Sequence, residues 1–219
     1  MKILALDTST EACSAALYVD GETISRYELA PRRHAELILP MIDSLLTEAD
    51  IRLQGLDTIA FGRGPGAFTG IRIATGIAQG LAFSASLPVT PVSTLAAIAY
   101  SVKDNAEYIA TAIDARMNEI YFGIYKGNDT VELVGDEFVI PPDNITLSIT
   151  GKYFGAGSGW SSYKDSLCAT FNEQLSGYDS ERYPHATDIA SIAVHAYANG
   201  MVENPHEISP VYLRNRVTS

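Results

Sequence analysis

Two short stretches carry residue types suited to holding charge. Asp7, Thr8, Ser9 and Thr10 follow an apolar run at residues 2–6, which puts a carboxylate and three hydroxyls at the end of an expected strand. A carboxylate beside hydroxyls suits a hydrated hard cation such as magnesium, or a phosphate. The same residues also suit a polar turn in which Asp and Ser/Thr side chains cap their own backbone, and pattern alone favours that turn. The second stretch is Gly64-Pro65-Gly66-Ala67-Phe68-Thr69-Gly70. Its glycines permit positive φ and close backbone approach, and free amides at a helix start can cradle an anion. The spacing is not a dinucleotide fingerprint, because Gly66 and Gly70 stand one residue too far apart. Nor is it a P-loop, because no lysine follows Gly70. The plainer alternative, which the spacing favours, is a tight strand-to-helix connection with Phe68 packed inward. Asp7, Thr8, Gly64, Gly66, Thr69 and Gly70 therefore form a weak candidate anion or nucleotide site.

Other chemistries find less support. His34, His185, His195 and His206 include no pair at metal-ligand helical spacing, and no HExxH occurs. Ser158 and Ser161 lack the flanking glycines of a nucleophile elbow. His34, beside Glu36, reads as a surface or capping residue at a helix start. Cys13 and Cys168 lie far apart and read as small hydrophobes in a reducing compartment. No catalytic residue and no metal ligand is assigned.

Composition narrows the partners. The formal net charge is −11 and the pI about 4.7, and the basic residues cluster only as Arg32-Arg33 and as Arg214 with Arg216. Proteins that hold nucleic acid unaided carry a basic footprint that displaces counterions from phosphates. Unaided RNA binding is not expected; docking to a basic protein partner is compatible with this surface. With 47% hydrophobic residues in 219, the chain can bury a sizeable core in one large or two small domains. No apolar run reaches membrane-spanning length. The short N-terminal apolar run, interrupted at Asp7, is not expected to serve as a signal peptide. The expected location is the cytoplasm, with no membrane partner.

These residues need elements to position them. Residues 2–6, 12–19 and 22–29 read as an antiparallel meander, with Asp20-Gly21 as the second turn. A helix is expected over 34–49, a buried strand over 57–62, a second helix over 71–86 and a short strand over 88–92. Ser93 is a plausible N-cap for a third helix. Strands are expected at 108–113, 119–125 and 131–138, then at 147–151 before the loop Gly155-Ala156-Gly157-Ser158-Gly159. The last helix is expected over 187–198, and 209–214 is strand-like. The division expected is a first lobe of residues 1–103, to which 201–219 returns, and a second lobe of 104–200. Strands followed by helices in both halves point to tightly docked α/β lobes.

The first two helices carry broad apolar or small-residue faces. Leu37, Met41 and Leu45 line one; Ala74, Ile77, Ala78 and Leu81 line the other, interleaved with Gly76 and Gly80. Helices apolar over most of their surface must be covered. The seven named side chains are therefore expected at a subunit interface, first of all in a symmetric homodimer.

Several segments together resemble the TsaB family: residues 2–10 (KILALDTST) with Ala12-Cys13-Ser14, residues 33–36 (RHAE) with Leu39-Pro40, residues 62–72 (GRGPGAFTGIR), and residues 210–214 (PVYLR). The likeness is dense over the first hundred residues, sparse in the second half, and returns at the end. It implies an α/β, two-lobed fold of the actin, hexokinase and Hsp70 class (ASKHA), each lobe a mixed β-sheet flanked by helices. It implies a non-catalytic role in making N6-threonylcarbamoyladenosine beside the tRNA anticodon, with a TsaD-like catalytic subunit, a TsaE-like ATPase, and tRNA engaged only through the complex. No cofactor is expected to be tightly bound; ATP or ADP and Mg are expected to engage at most weakly, in the complex. In the catalytic sister family the third helix carries two metal-binding histidines, and the matching positions here are Thr94 and Ile98. Two rival classes remain: an ATP-dependent transferase or kinase of the same fold, and a glycoprotease-like metallopeptidase.

Overall fold

The computed structural model describes residues 1–214, and the chain divides into two compact units. Arg216 lies outside the described residues. The first unit comprises Met1–Ala97 and Pro184–Val211. In it β1 (Lys2–Asp7), β2 (Ala12–Val19) and β3 (Glu22–Leu29) form the antiparallel meander. Asp20 and Gly21 turn the chain between β2 and β3 with φ of 48° and 107°, as a two-residue hairpin turn requires. β4 (Thr58–Gly62) pairs in parallel with β1, and β5 (Val89–Val92) with β4, giving the order β3-β2-β1-β4-β5.

This sheet is covered on both faces, which is why β1 and β4 are apolar at nearly every position. On one face α1 (His34–Glu48) and α2 (Phe68–Ala85) set Ile38, Ile42, Leu45, Ala74, Ala78 and Ala82 against Leu4, Leu6 and Phe61. On the other, a helix at Ala186–Ala198 sets Ile189, Ala190 and Ala193 against Ile3, Ala5 and Ala60. The sequence reading places that helix in a second lobe of 104–200. Its apolar stripe instead covers the second face of the five-stranded sheet, which would otherwise be open to water. α3 (Thr94–Ser101) begins where expected: the Ser93 hydroxyl accepts from the Leu95 amide at 3.1 Å.

The second unit comprises Ile98–Tyr183 and the chain from Tyr212. Its sheet has the order β11-β10-β6-β7-β8, with β9 also on β7. Here β6 is Tyr108–Asp114, β7 Ile120–Gly127, β8 Val131–Leu133, β9 Phe138–Ile140, β10 Tyr153–Ala156 and β11 Leu175–Asp179. The strand expected over 131–138 is two short ones, broken around Gly135 at φ 82°. Residues 147–151 form no strand; β10 follows them and takes in Gly155, read above as loop. A Cβ on Gly155 would meet the Trp160 ring at 2.3 Å, so that glycine serves ring packing. Trp160 lies in the short helix α4 (Gly159–Ser162) and donates its indole N–H to Ala110 O at 2.9 Å. α5 (Lys164–Phe171) contributes Leu167 and Phe171 to the same core. The Ala186–Ala198 helix is α6. Residues 209–214 form no strand, although the Val211 amide does return to Arg63 O at 2.8 Å within the first unit. Each unit is a mixed sheet flanked by helices, the fold class expected.

Candidate functional site

The end of β1 is sealed. Asp7, Thr8 and Ser9 are fully buried. The Ser9 amide donates to Asp7 Oδ1 at 2.9 Å, and the Ser9 hydroxyl lies 2.9 and 3.0 Å from the two carboxylate oxygens. The Ala12 amide donates to Thr10 Oγ1 at 3.4 Å. This is the polar turn with side-chain caps. Burial pushes the Asp7 carboxyl up to about 7, against the opposing pull of the Ser9 amide and hydroxyl. Burial, with the Asp7 and Glu28 charges, also raises the Cys13 thiol to about 12.

The glycine loop packs onto that turn. A Cβ on Gly66 would meet Ser9 O at 2.3 Å, and one on Gly70 would meet Thr8 O at 2.0 Å. Gly64 has φ 101°, open only to glycine without strain. The Ala67 amide donates to Ser9 O at 2.7 Å, and the Thr8 hydroxyl to Gly70 O at 2.7 Å. The structure thus brings Asp7, Thr8, Gly64, Gly66 and Gly70 together, with Thr69 exposed at the start of α2. Close approach of two backbone segments of the same chain accounts for Gly66 and Gly70. A cation at Asp7 would have to displace the Ser9 hydroxyl from a buried carboxyl.

The helix faces need revision. Leu45, Ala74 and Ala78 are fully buried in the core between α1, α2 and the sheet, so they belong to that core and not to a surface. Leu37, Met41, Ile77 and Leu81 are half-buried against the same core. The stripes therefore mark the faces turned to the sheet. The solvent face of α2 is Phe68, Arg72, Gly76 and Gly80, spaced four apart, and then Phe83. Phe68 is 49% exposed rather than packed inward, and the Arg72 guanidinium lies 3.5 Å over its ring. Phe83 is 61% exposed. A Cβ on Gly76 or Gly80 would meet nothing within 4 Å among the described residues. The signal for this face was present in the four-residue spacing of Gly76 and Gly80, which lie on the side opposite Ala74 and Ala78.

Relatives decide what kind of protein carries this arrangement. The family model for TsaD, tRNA N6-adenosine threonylcarbamoyltransferase, matches residues 23–216. The tRNA threonylcarbamoyladenosine biosynthesis protein TsaB of Haemophilus influenzae is 41% identical, over 100% of this chain and 95% of that protein. Its Escherichia coli namesake is 39% identical over 99% of this chain and 96% of that one. The chain belongs to the TsaB family. The solved structure of YeaZ from Pseudomonas aeruginosa superposes with a TM-score of 0.91 at 45% identity, over 97% of this chain and 99% of that one.

In this TsaB-family chain Thr94 and Ile98, the positions that the resemblance implies for the sister family's histidines, are both buried. Among the described residues Thr94 Oγ1 has no hydrogen-bond partner, and Ile98 is an apolar core residue. Among the described residues no three of His, Cys, Asp and Glu converge to hold a metal. His34 is buried at the start of α1 rather than on the surface, and its Nε2 has no hydrogen-bond partner among the described residues. Among the described residues no helix is long and apolar enough to cross a membrane.

Proposed function

We propose that this TsaB-family chain is the non-catalytic scaffold and activating subunit in the synthesis of N6-threonylcarbamoyladenosine in tRNA. It docks a TsaD-like catalytic subunit and, with it, a TsaE-like ATPase. The observation that carries the reading is the solvent face of α2. Gly76 and Gly80 leave its centre open to close approach by another helix, and helix-to-helix distance is set by the side chains at the crossing. Phe68 with its stacked Arg72, and Phe83, flank that centre as exposed aromatic anchors. In the absence of the catalytic subunit the same face pairs two copies of this chain.

A net charge of −11 argues that tRNA is reached through the partner rather than held directly. No cofactor is held tightly by this chain in that role; ATP or ADP and Mg engage weakly, at the level of the complex only. The working location is the cytoplasm. The test is co-purification with a TsaD-like protein. Gly80→Leu places bulk on the open face without touching the core, and should abolish the complex while the chain stays folded. Normal complex formation by folded Gly80→Leu protein would overturn this docking face.

A further inference from the structure

The loop between β6 and β7 is built in an expensive conformation around an exposed side chain. Arg116, Met117 and Asn118 follow one another at φ 61°, 57° and 60°, the left-handed region that non-glycine residues rarely occupy. Such conformations persist only where surrounding structure over-determines them. Here the Asp114 carboxylate accepts the Arg116 amide at 2.8 Å and its guanidinium at 3.0 Å. The Ser162 and Tyr163 hydroxyls donate to the same carboxylate at 3.3 and 3.4 Å. The Ala115 amide donates to Glu119 O, and the Glu119 amide to Arg116 O. From outside the loop, Arg214 pairs with the Glu119 carboxylate and donates to Arg116 O and to Met117 Sδ, each at 3.4 Å.

All this holds in water a side chain that hydrophobicity would remove from it. Met117 is 70% exposed, the highest value among the large apolar side chains of the described residues. We propose that residues 116–118 are a preformed docking hook, with Met117 as its anchor, for a protein partner that offers an apolar pocket rimmed by hydrogen-bond acceptors. An unbranched thioether adapts to an irregular pocket. The Arg116 guanidinium and the Asn118 amide supply donors beside it. Holding the anchor in place before binding lowers the entropy lost on association. The partner is a protein and not RNA: both guanidinium groups described at the tip are already paired, Arg116 with Asp114 and Arg214 with Glu119, and the chain is strongly acidic.

The inference rests on the reading that this chain works in a complex, and adds a contact in the second unit to the α2 face of the first. The test measures binding of purified TsaD-like and TsaE-like subunits, singly and together, to wild type, Met117→Ser, Arg214→Gln and Gly80→Leu. Met117→Ser should weaken one of these associations by about tenfold or more at an unchanged thermal midpoint. Arg214→Gln keeps the anchor but frees the loop, and should weaken the same association to a lesser extent. Unchanged binding of Met117→Ser, with Gly80→Leu defective, overturns the hook and leaves the α2 face standing. A wild-type chain that binds neither subunit overturns the proposed function and the hook with it. If Met117→Ser instead dissolves a dimer of this chain alone, the occupant is a second copy and the proposal is wrong.

Discussion

Asp7 and Gly62 share one space: a Cβ on Gly62 would lie 1.8 Å from Asp7 Oδ2. The missing side chain on β4 is what lets a carboxyl be buried at the end of β1. Gly62→Ala should therefore cost about 3 kcal/mol, as an overpacked core site does. Removing the clash from the other side should restore most of it, so Asp7→Ala with Gly62→Ala should be more stable than Gly62→Ala alone. Urea denaturation of the wild type and the two variants checks this.

The buried carboxyl also sets a pH dependence. Its folded value is raised from 3.8 to about 7, so the folded state holds this proton more tightly than the unfolded chain. The stabilisation is full below 3.8 and is lost as pH rises through about 7. At about 1.4 kcal/mol per unit, the swing is on the order of 4 kcal/mol. The thermal midpoint should fall between pH 5 and pH 8. Asp7→Asn, which can still accept from the Ser9 amide, should flatten that slope and raise the midpoint at pH 8.

A second titration acts in the opposite sense. His185 Nδ1 accepts from the Thr187 amide at 3.1 Å and caps α6, while its ring stacks on Tyr27 at 4.9 Å between centroids. Burial lowers its pKa below the ordinary 6.5, so the neutral ring is favoured in the folded state. Stability should be lost as pH falls below 6.5, because the unfolded chain takes up the proton first. His185→Asn keeps a capping acceptor and should remove this acid-side loss. His185→Ala should cost about 1 kcal/mol at pH 7.5 through loss of the cap.

Much of the first unit was legible because its signals are local. The Asp20-Gly21 turn, the unbroken apolar runs of β1 and β4 and the Ser93 cap each act over a few residues. What an apolar stripe does not say is which surface it faces. Leu45 and Ala78 demanded cover, and the sheet of the same chain supplies it. The assignment of α6 failed for the same reason, since its stripe matches a sheet face distant in sequence. In the second unit β8 and β9 have three residues each, too few for alternation to register. β10 was hidden because Gly155 reads as a loop residue until Trp160 is seen against it. The seal at Asp7 was legible only as one of two readings, because burial of a carboxyl depends on what packs over it.

The two sides of α2 should respond oppositely to substitution. Ala78→Glu would bury an unpaired carboxylate in the core and should cost several kcal/mol, on the order of 3–5, leaving little folded protein. Gly76→Ala meets open space and should stabilise the helix by up to about 1 kcal/mol. Circular dichroism melts of the two proteins check the contrast, and equal effects would mean the helix is rotated from the orientation described.

The central claim is that this chain makes modification possible without performing it. The most direct measurement is the yield of N6-threonylcarbamoyladenosine in tRNA, with purified TsaD-like and TsaE-like subunits, threonylcarbamoyl donor and ATP. Wild-type chain should support modification. Its omission, or its replacement by folded Gly80→Leu, should lower the yield by about tenfold or more, as disruption of the centre of an interface would. The chain with tRNA and donor alone should give none. Modified nucleoside formed by this chain without its partners would contradict the account, as would full yield with Gly80→Leu.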